Sequence, residues 1–284
     1  MLDSFGKIVR DRTGKGIKVF GTTRDVTQLR KYEHELEQKI VELDRSNKEL
    51  EDFAYVASHD LQEPLRKIAT LGDRLQNKFG DNLHDDGKKY VERIQLATKS
   101  ARFLIDSLME FSRITHESLN FAETNLTTVL QEAIADLELK IEETQTTIHA
   151  GILPTLEVSA QQIKQLFSNL MLNSIKFRRP DVSPEINIQS RIVTRDEIQT
   201  HHLNSLLNYF VITVKDNGIG FEEEYNRKIF KMFHRLHGKS EYPGAGIGLS
   251  LCKKIVEYHK GSIFATSAPL EGATFTIILP EKHS

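Results

Sequence analysis

FAYVASHDLQEPLRKI, residues 53–68, sets one histidine, His59, beside an aspartate, Asp60, in a stretch whose apolar positions recur at helical spacing. Upstream, Leu29, Leu36, Leu43, Leu50 and Ala57 recur every seven residues, with Tyr32, Ile40 and Phe53 supporting the same seam. That is the pattern of a helix packed against another helix. His59 stands two positions past a seam residue, about 200° around the helix. Core packing therefore does not explain it, and its ring is expected to face solvent or a docking partner. Pro64 removes a backbone donor five residues on and invites a bend just beneath the histidine, one that would expose or hide the ring.

From about residue 28 to 78 the chain reads as a nearly continuous helix, and a turn rich in Gly, Asp and Asn at 80–87 returns it into a second helix ending near 116. Ile94, Ala101 and Leu108 repeat at heptad spacing there, with Val91 and Ile105 beside them. The helical hairpin thus keeps apolar surface to bury. Pairing with a second copy satisfies it: four helices from two chains, an isologous bundle with His59 outside. Residues 1–27 read as two short strands around a reversal at Thr13, Gly14 and Gly16. They resemble the last two strands of a PAS sensor domain and its exit, Asp25-Val26-Thr27.

Length and composition narrow the possibilities. A chain of 284 residues with 39% apolar content has room for about two soluble domains. A formal charge of −2 and a pI near 6.6, with both signs interspersed, leave no footprint for nucleic acid or an anionic membrane. No apolar run approaches a bilayer span and the N-terminus lacks a signal-peptide core, so a cytoplasmic location is expected. Cys252, the one cysteine, falls on the stripe Leu249, Cys252, Ile255, Val256, His259, which predicts a buried, inert thiol. His201 and His202 lie between strands with no ligand spacing nearby and read as a solvated loop.

After Asn120 the pattern turns to mixed helix and strand. A helix near 126–142 precedes short strands near 146–149 and 155–158 and a helix at 160–177. Strands near 185–193 and 208–215, a helix near 247–259 and a closing hairpin at 262–279 complete an α+β layer domain of about 160 residues. Within QLFSNLMLNSIKF, residues 165–177, Asn169, Asn173 and Lys176 project within roughly 60° of one another. A solvated ridge would carry Glu or Lys, whereas asparagine is a poor helix former and costly when buried unpaired. Carbonyl oxygens beside an ammonium suit a magnesium ion and the phosphates it bridges. The strand YFVITVKD, residues 209–216, ends in Asp216 over the turn Asn217-Gly218-Ile219-Gly220, where a carboxylate is a good acceptor for the exocyclic amine of a base. A plain tight turn explains that stretch about equally well. Gly244-Ala245-Gly246-Ile247-Gly248-Leu249 enters a helix whose N-terminal amides favour phosphate oxygens. It is no Rossmann fingerprint, since Leu249 replaces the last glycine. Gly238-Lys239-Ser240 is no P-loop, because Phe233 replaces its upstream glycine.

Taken together, these segments resemble the histidine protein kinases of two-component signalling, in the branch with a HisKA-type dimerisation hairpin. SHDLQEPL (58–65) is similar to the H box, NLMLNSIKF (169–177) to the N box and DNGIGF (216–221) to the G1 box. KIFKMFHRL (228–236) is similar to the F box and GAGIGLSL (244–251) to the G2 box. The resemblance covers about 30–281. It implies a dimeric all-α hairpin followed by a Bergerat-type α+β ATP sandwich. The domains would be a PAS remnant at 1–27, a coiled-coil signal helix at 28–52, a dimerisation and phosphotransfer hairpin at 53–119, and a catalytic ATP-binding domain at 120–284.

The resemblance also implies residue roles. His59 would accept the phosphoryl group of ATP, Asp60 would orient its ring, Asn173 would hold Mg2+ with Asn169 nearby, and Lys176 would contact phosphate. Asp216 would bind adenine, Gly218 and Gly220 would shape its pocket, and Thr274 in GATFTIILP would sit close to the base. Gly244, Gly246 and Gly248, followed by Leu249, would form the phosphate lid, Phe230 and Phe233 would anchor its start, and Arg235 would meet the γ-phosphate. The phosphoryl group would then pass to an aspartate on the receiver domain of a separate response regulator. Glu63 stands where many relatives carry Thr or Asn to position a hydrolytic water, which bears on phosphatase activity. Two rival readings share the nucleotide motifs: a GHKL ATPase that uses ATP as a conformational clamp, and a nucleotide-binding signalling scaffold without histidine phosphorylation.

Overall fold

The computed structural model describes every residue except 1, 11, 13, 15, 117–120, 201–202, 205–206, 237–245 and 283–284. Thr13, Asn120, His201, His202, the Gly238-Lys239-Ser240 run, Gly244 and Ala245 lie outside the described residues, as do the side chains of Leu50 and Phe53. The chain divides into two compact units, 1–54 and 55–284.

In the first unit, β1 (Leu2–Arg10) and β2 (Gly16–Asp25) pair antiparallel. Asp25 Oδ1 then accepts from Thr27 N at 2.9 Å and from Thr27 Oγ1 at 2.6 Å, which caps the start of α1 (Thr27–Phe79). Leu29, Tyr32, Leu36, Ile40 and Leu43 are all exposed, so among the described residues these five seam positions are left uncovered.

In the second unit α1 continues to Phe79 with Pro64 inside it, turns through Gly80–Asn82, and is followed by α2 (Asp85–His116). β3 (Ala122–Asn125) opens the α+β part and leads into α3 (Leu126–Ala135), whose amides at Thr127 and Thr128 donate to Asn125 Oδ1. The single helix expected at 126–142 is two: the chain breaks at Asp136 and Leu137 before α4 (Glu138–Thr144). β4 (Thr147–Ala150), β5 (Thr155–Val158), α5 (Ala160–Lys176), β6 (Glu185–Ile192), α6 (Arg195–Thr200), β7 (Tyr209–Asp216), α7 (Gly248–Tyr258), β8 (Ser262–Ala268) and β9 (Gly272–Pro280) follow. The five-stranded sheet runs β4-β6-β7-β9-β8, parallel at β4-β6 and antiparallel elsewhere, and β3 pairs with β5 separately.

The main core lies between one face of that sheet and α3, α5 and α7. Ile163, Leu166, Phe167, Leu170 and Met171 of α5 recur at helical spacing and are fully buried against Ile186, Ile188, Ile212 and Ile277. Each such side chain contributes about 1.5–3 kcal/mol relative to exposure. What α5 leaves outside is its polar ridge. Cys252 is fully buried in this core, and burial pushes its thiol far above the usual range. A smaller cluster on the other face packs Tyr209, Val211, Ile278 and Val193 under Ile198 of α6. The described residues contain no helix long and apolar enough to cross a membrane.

Candidate active site

Asp216 closes β7 and is buried, 8% exposed. Its Oδ1 accepts from Gly218 N at 2.9 Å and from Ala273 N at 3.0 Å, and its Oδ2 accepts from Ser174 Oγ at 3.1 Å. Burial pushes its carboxyl above the ordinary value, while those three hydrogen bonds pull the other way. Asn217 pins the turn by accepting from Glu185 N at 2.9 Å and donating to Ser183 O at 3.0 Å. Gly220 sits at φ +63°, and a Cβ there would meet Ala268 O at 2.0 Å, so the turn admits no larger residue. Gly218 is also tightly seated: a Cβ there would meet Phe177 O at 2.6 Å.

Along α5, Asn169 Nδ2 donates to Gln165 O at 3.0 Å, which leaves Oδ1 turned toward Gly248, the first residue of α7. Lys176 is half-buried, with its ammonium 4.6 Å from the Phe177 ring centroid. Burial and, secondarily, the charge of Arg235 lower its pKa. Phe230 belongs to the core. Phe233 does not: it is 54% exposed at φ +60°, and its backbone N donates to Gly246 O at 3.0 Å. Gly246 itself is at φ +73°.

These elements surround a cavity of about 1000 Å³. Asp216, Ile219, Gly220, Ala273 and Phe275 line one part of it. Asn169, Asn173, Lys176, Arg235, Gly246, Gly248 and Leu249 line another. Thr274 is not among them, which corrects the expectation placed on it. Alternation along β9 turns Ala273, Phe275 and Ile277 to the core face, so the residue beside Asp216 is Ala273. Motif reading also missed Ser174, His234 and Arg178, the last two of which line the cavity. Phe103, Ser107 and Glu110 of α2 complete the wall, and Gln165 Nε2 donates to Glu110 Oε1.

On α1, the side chain of His59 is 70% exposed, and Nδ1 lies 3.3 Å from Asp60 Oδ1. That is a long contact, with Asp60 equally open to solvent. Glu63 is drawn to Lys67 Nζ at 2.7 Å.

Residues 49–117 match the His Kinase A (phospho-acceptor) domain, and residues 158–283 match the histidine kinase-, DNA gyrase B- and HSP90-like ATPase domain. These two domains are those of a histidine kinase. Cyanobacterial phytochrome A of Nostoc sp. is 37% identical over 246 residues, which cover 87% of this chain and 30% of that protein. The histidine kinase chain therefore spans about a third of the length of this curated relative. Full-length ShkA in complex with AMPPNP shares the fold at a TM-score of 0.58 and 18% identity, over 81% of this chain and 45% of that one. Histidine kinase ThkA in complex with the response regulator protein TrrA does so at a TM-score of 0.51 and 22% identity, over 98% and 74%.

Proposed function

We propose that the chain autophosphorylates His59 from ATP and passes the phosphoryl group to an aspartate of a separate response regulator. The observation that carries this reading is the pairing, in one chain, of a solvent-facing His59–Asp60 couple with a cavity that joins a buried carboxylate to a ridge of amides and cations. Asp216 accepts the exocyclic amine of adenine, Gly218 and Gly220 shape the pocket around the base, and Gly246 and Gly248 lie against the phosphates. Lys176 and Arg235, two cations close enough to depress one of them, are charge-matched by a polyphosphate. The carbonyl oxygens of Asn173 and Asn169 form a donor set suited to magnesium, which when bound neutralises phosphate charge.

Asp60 accepts a hydrogen bond from Nδ1–H of His59, which keeps the proton on Nδ1 and leaves the Nε2 lone pair free. Nε2 attacks the γ-phosphorus in line while the bond to the β-bridging oxygen breaks, and that oxygen leaves with the electron pair on ADP. The Nδ1 proton stays shared with Asp60, which stabilises the developing imidazolium. A homodimer formed through the hairpin, and residues 1–27 as the closing strands of a PAS domain, complete the proposed architecture.

The test is acid-labile, base-stable phosphate on the protein after incubation with ATP and magnesium. It should be absent in His59→Gln, and absent in Asn173→Ala with the dimer preserved. ATP turnover or binding with no phosphate on His59 would favour the clamp or the scaffold instead.

A further inference from the structure

Two hydrogen bonds fix how the hairpin helices lie. Gln62 Nε2 donates to Asp106 Oδ1 at 2.9 Å, and Gln95 Nε2 donates to Asp73 Oδ1 at 2.8 Å. Eleven residues along α1 thus match eleven back along α2, an antiparallel register that sets His59 level with Met109 and Glu110. Glu110 is the residue that holds Gln165 of the ATPase domain and lines its cavity.

Direction follows from helix geometry. Viewed from the N-terminal end of α1, residues step clockwise by about 100° each. The side turned to α2 carries the buried Ser58 and the hydrogen-bonded Gln62 and Asp73, and His59 lies about 65° clockwise of it. On α2 the side turned to α1 carries Val91, Gln95, Asp106 and Met109. Phe103, Ser107 and Glu110, which face the ATPase domain, lie about 100° clockwise of that side when viewed from the N-terminal end of α2. Because α2 runs the other way, that turn is counterclockwise when seen from the α1 end. A clockwise turn on one helix and a counterclockwise turn on its neighbour reach the same face of the pair. His59 and the ATPase domain of its own chain therefore share one side of the hairpin at one height. Leu61, Ile68 and Leu75, exposed by 40–52%, lie about 180° from His59, and Ile94 of α2, 50% exposed, turns to that same far side. The apolar face that a second copy would cover is the one opposite the reacting groups.

We infer that phosphoryl transfer runs within one chain: each cavity serves the His59 of its own hairpin, and the second copy contributes no acceptor. This rests on the kinase reading above. The experiment uses heterodimers purified through two different tags and incubated with radiolabelled ATP and magnesium. Wild type paired with a His59→Gln/Asn173→Ala chain should label at about half the wild-type homodimer level, since one complete chain remains. His59→Gln paired with Asn173→Ala should not label. Label in this second heterodimer, or none in the first, overturns transfer within one chain. Absence of label in the wild-type homodimer would instead refute the kinase reading itself.

Discussion

Replacing Asp216 separates its structural duty from its proposed recognition of adenine. In Asp216→Asn, Oδ1 still accepts from Gly218 N and Ala273 N, and the new Nδ2 donates to Ser174 Oγ, whose own proton goes to Leu170 O at 3.1 Å. Every polar atom keeps a partner and the buried charge is gone, so the fold should hold. What is lost is an ionised acceptor for the exocyclic amine, which now faces another donor. A hydrogen bond to a charged group contributes about 1.5–3 kcal/mol, so ATP should bind about 10- to 100-fold more weakly. Asp216→Ala differs, because it leaves the amides of Gly218 and Ala273 buried without acceptors, at about 1–3 kcal/mol each. Urea melts with calorimetric ATP titration measure both effects. Burial raises the carboxyl above its ordinary 3.8, so the wild type loses this group's contribution to stability as pH climbs from that value through the raised one. The Asn variant should gain on it across that window. An Asn variant that binds ATP unchanged, or unfolds as readily as the Ala variant, would refute the reasoning.

Other outcomes follow from the same geometry. Gly220→Ala forces a side chain into φ +63° against Ala268 O and should cost more than the ~1–3 kcal/mol of the backbone strain alone, read as a shifted urea midpoint. Glu197 closes a capping box with Thr194 and a bidentate pair with Arg191, and its carboxyl is drawn down to about 2, mainly by Arg191. Its stabilisation is present above the ordinary 4.5 and lost as pH falls toward that lower value, and Glu197→Gln should remove about 1 kcal/mol and flatten the acid limb. Lys176 should take up a proton when ATP binds at alkaline pH, because phosphate reverses the depression caused by burial and Arg235. Calorimetry in buffers of differing ionisation heat would detect it, and Lys176→Met should abolish it. Asp60→Asn should slow labelling of His59 by about 10²–10⁴-fold, measured in single turnover.

Much of the architecture was legible because it rests on periodicity. The heptads of α1 and the apolar stripe of α5 place helices and leave His59 and the Asn169–Lys176 ridge outside them. The break at Asp136–Leu137 was hidden, since no Gly or Pro marks it. β3 escaped notice as a four-residue edge strand. Thr274 was misjudged for a simpler reason: a strand turns alternate residues to opposite faces, so an error of one position moves a side chain from the cavity to the other side of the sheet. The contact between Glu110 and Gln165 spans 55 residues and two domains, and nothing local announces it.

A thiol reacts as its thiolate, and Cys252 is sealed from solvent with its proton held fast. Maleimide and nitroxide reagents should therefore pass over the folded protein. An engineered cysteine on α1 and another on α5 would be the only reactive handles, so spin-pair distances between those two helices become measurable while the native core stays untouched.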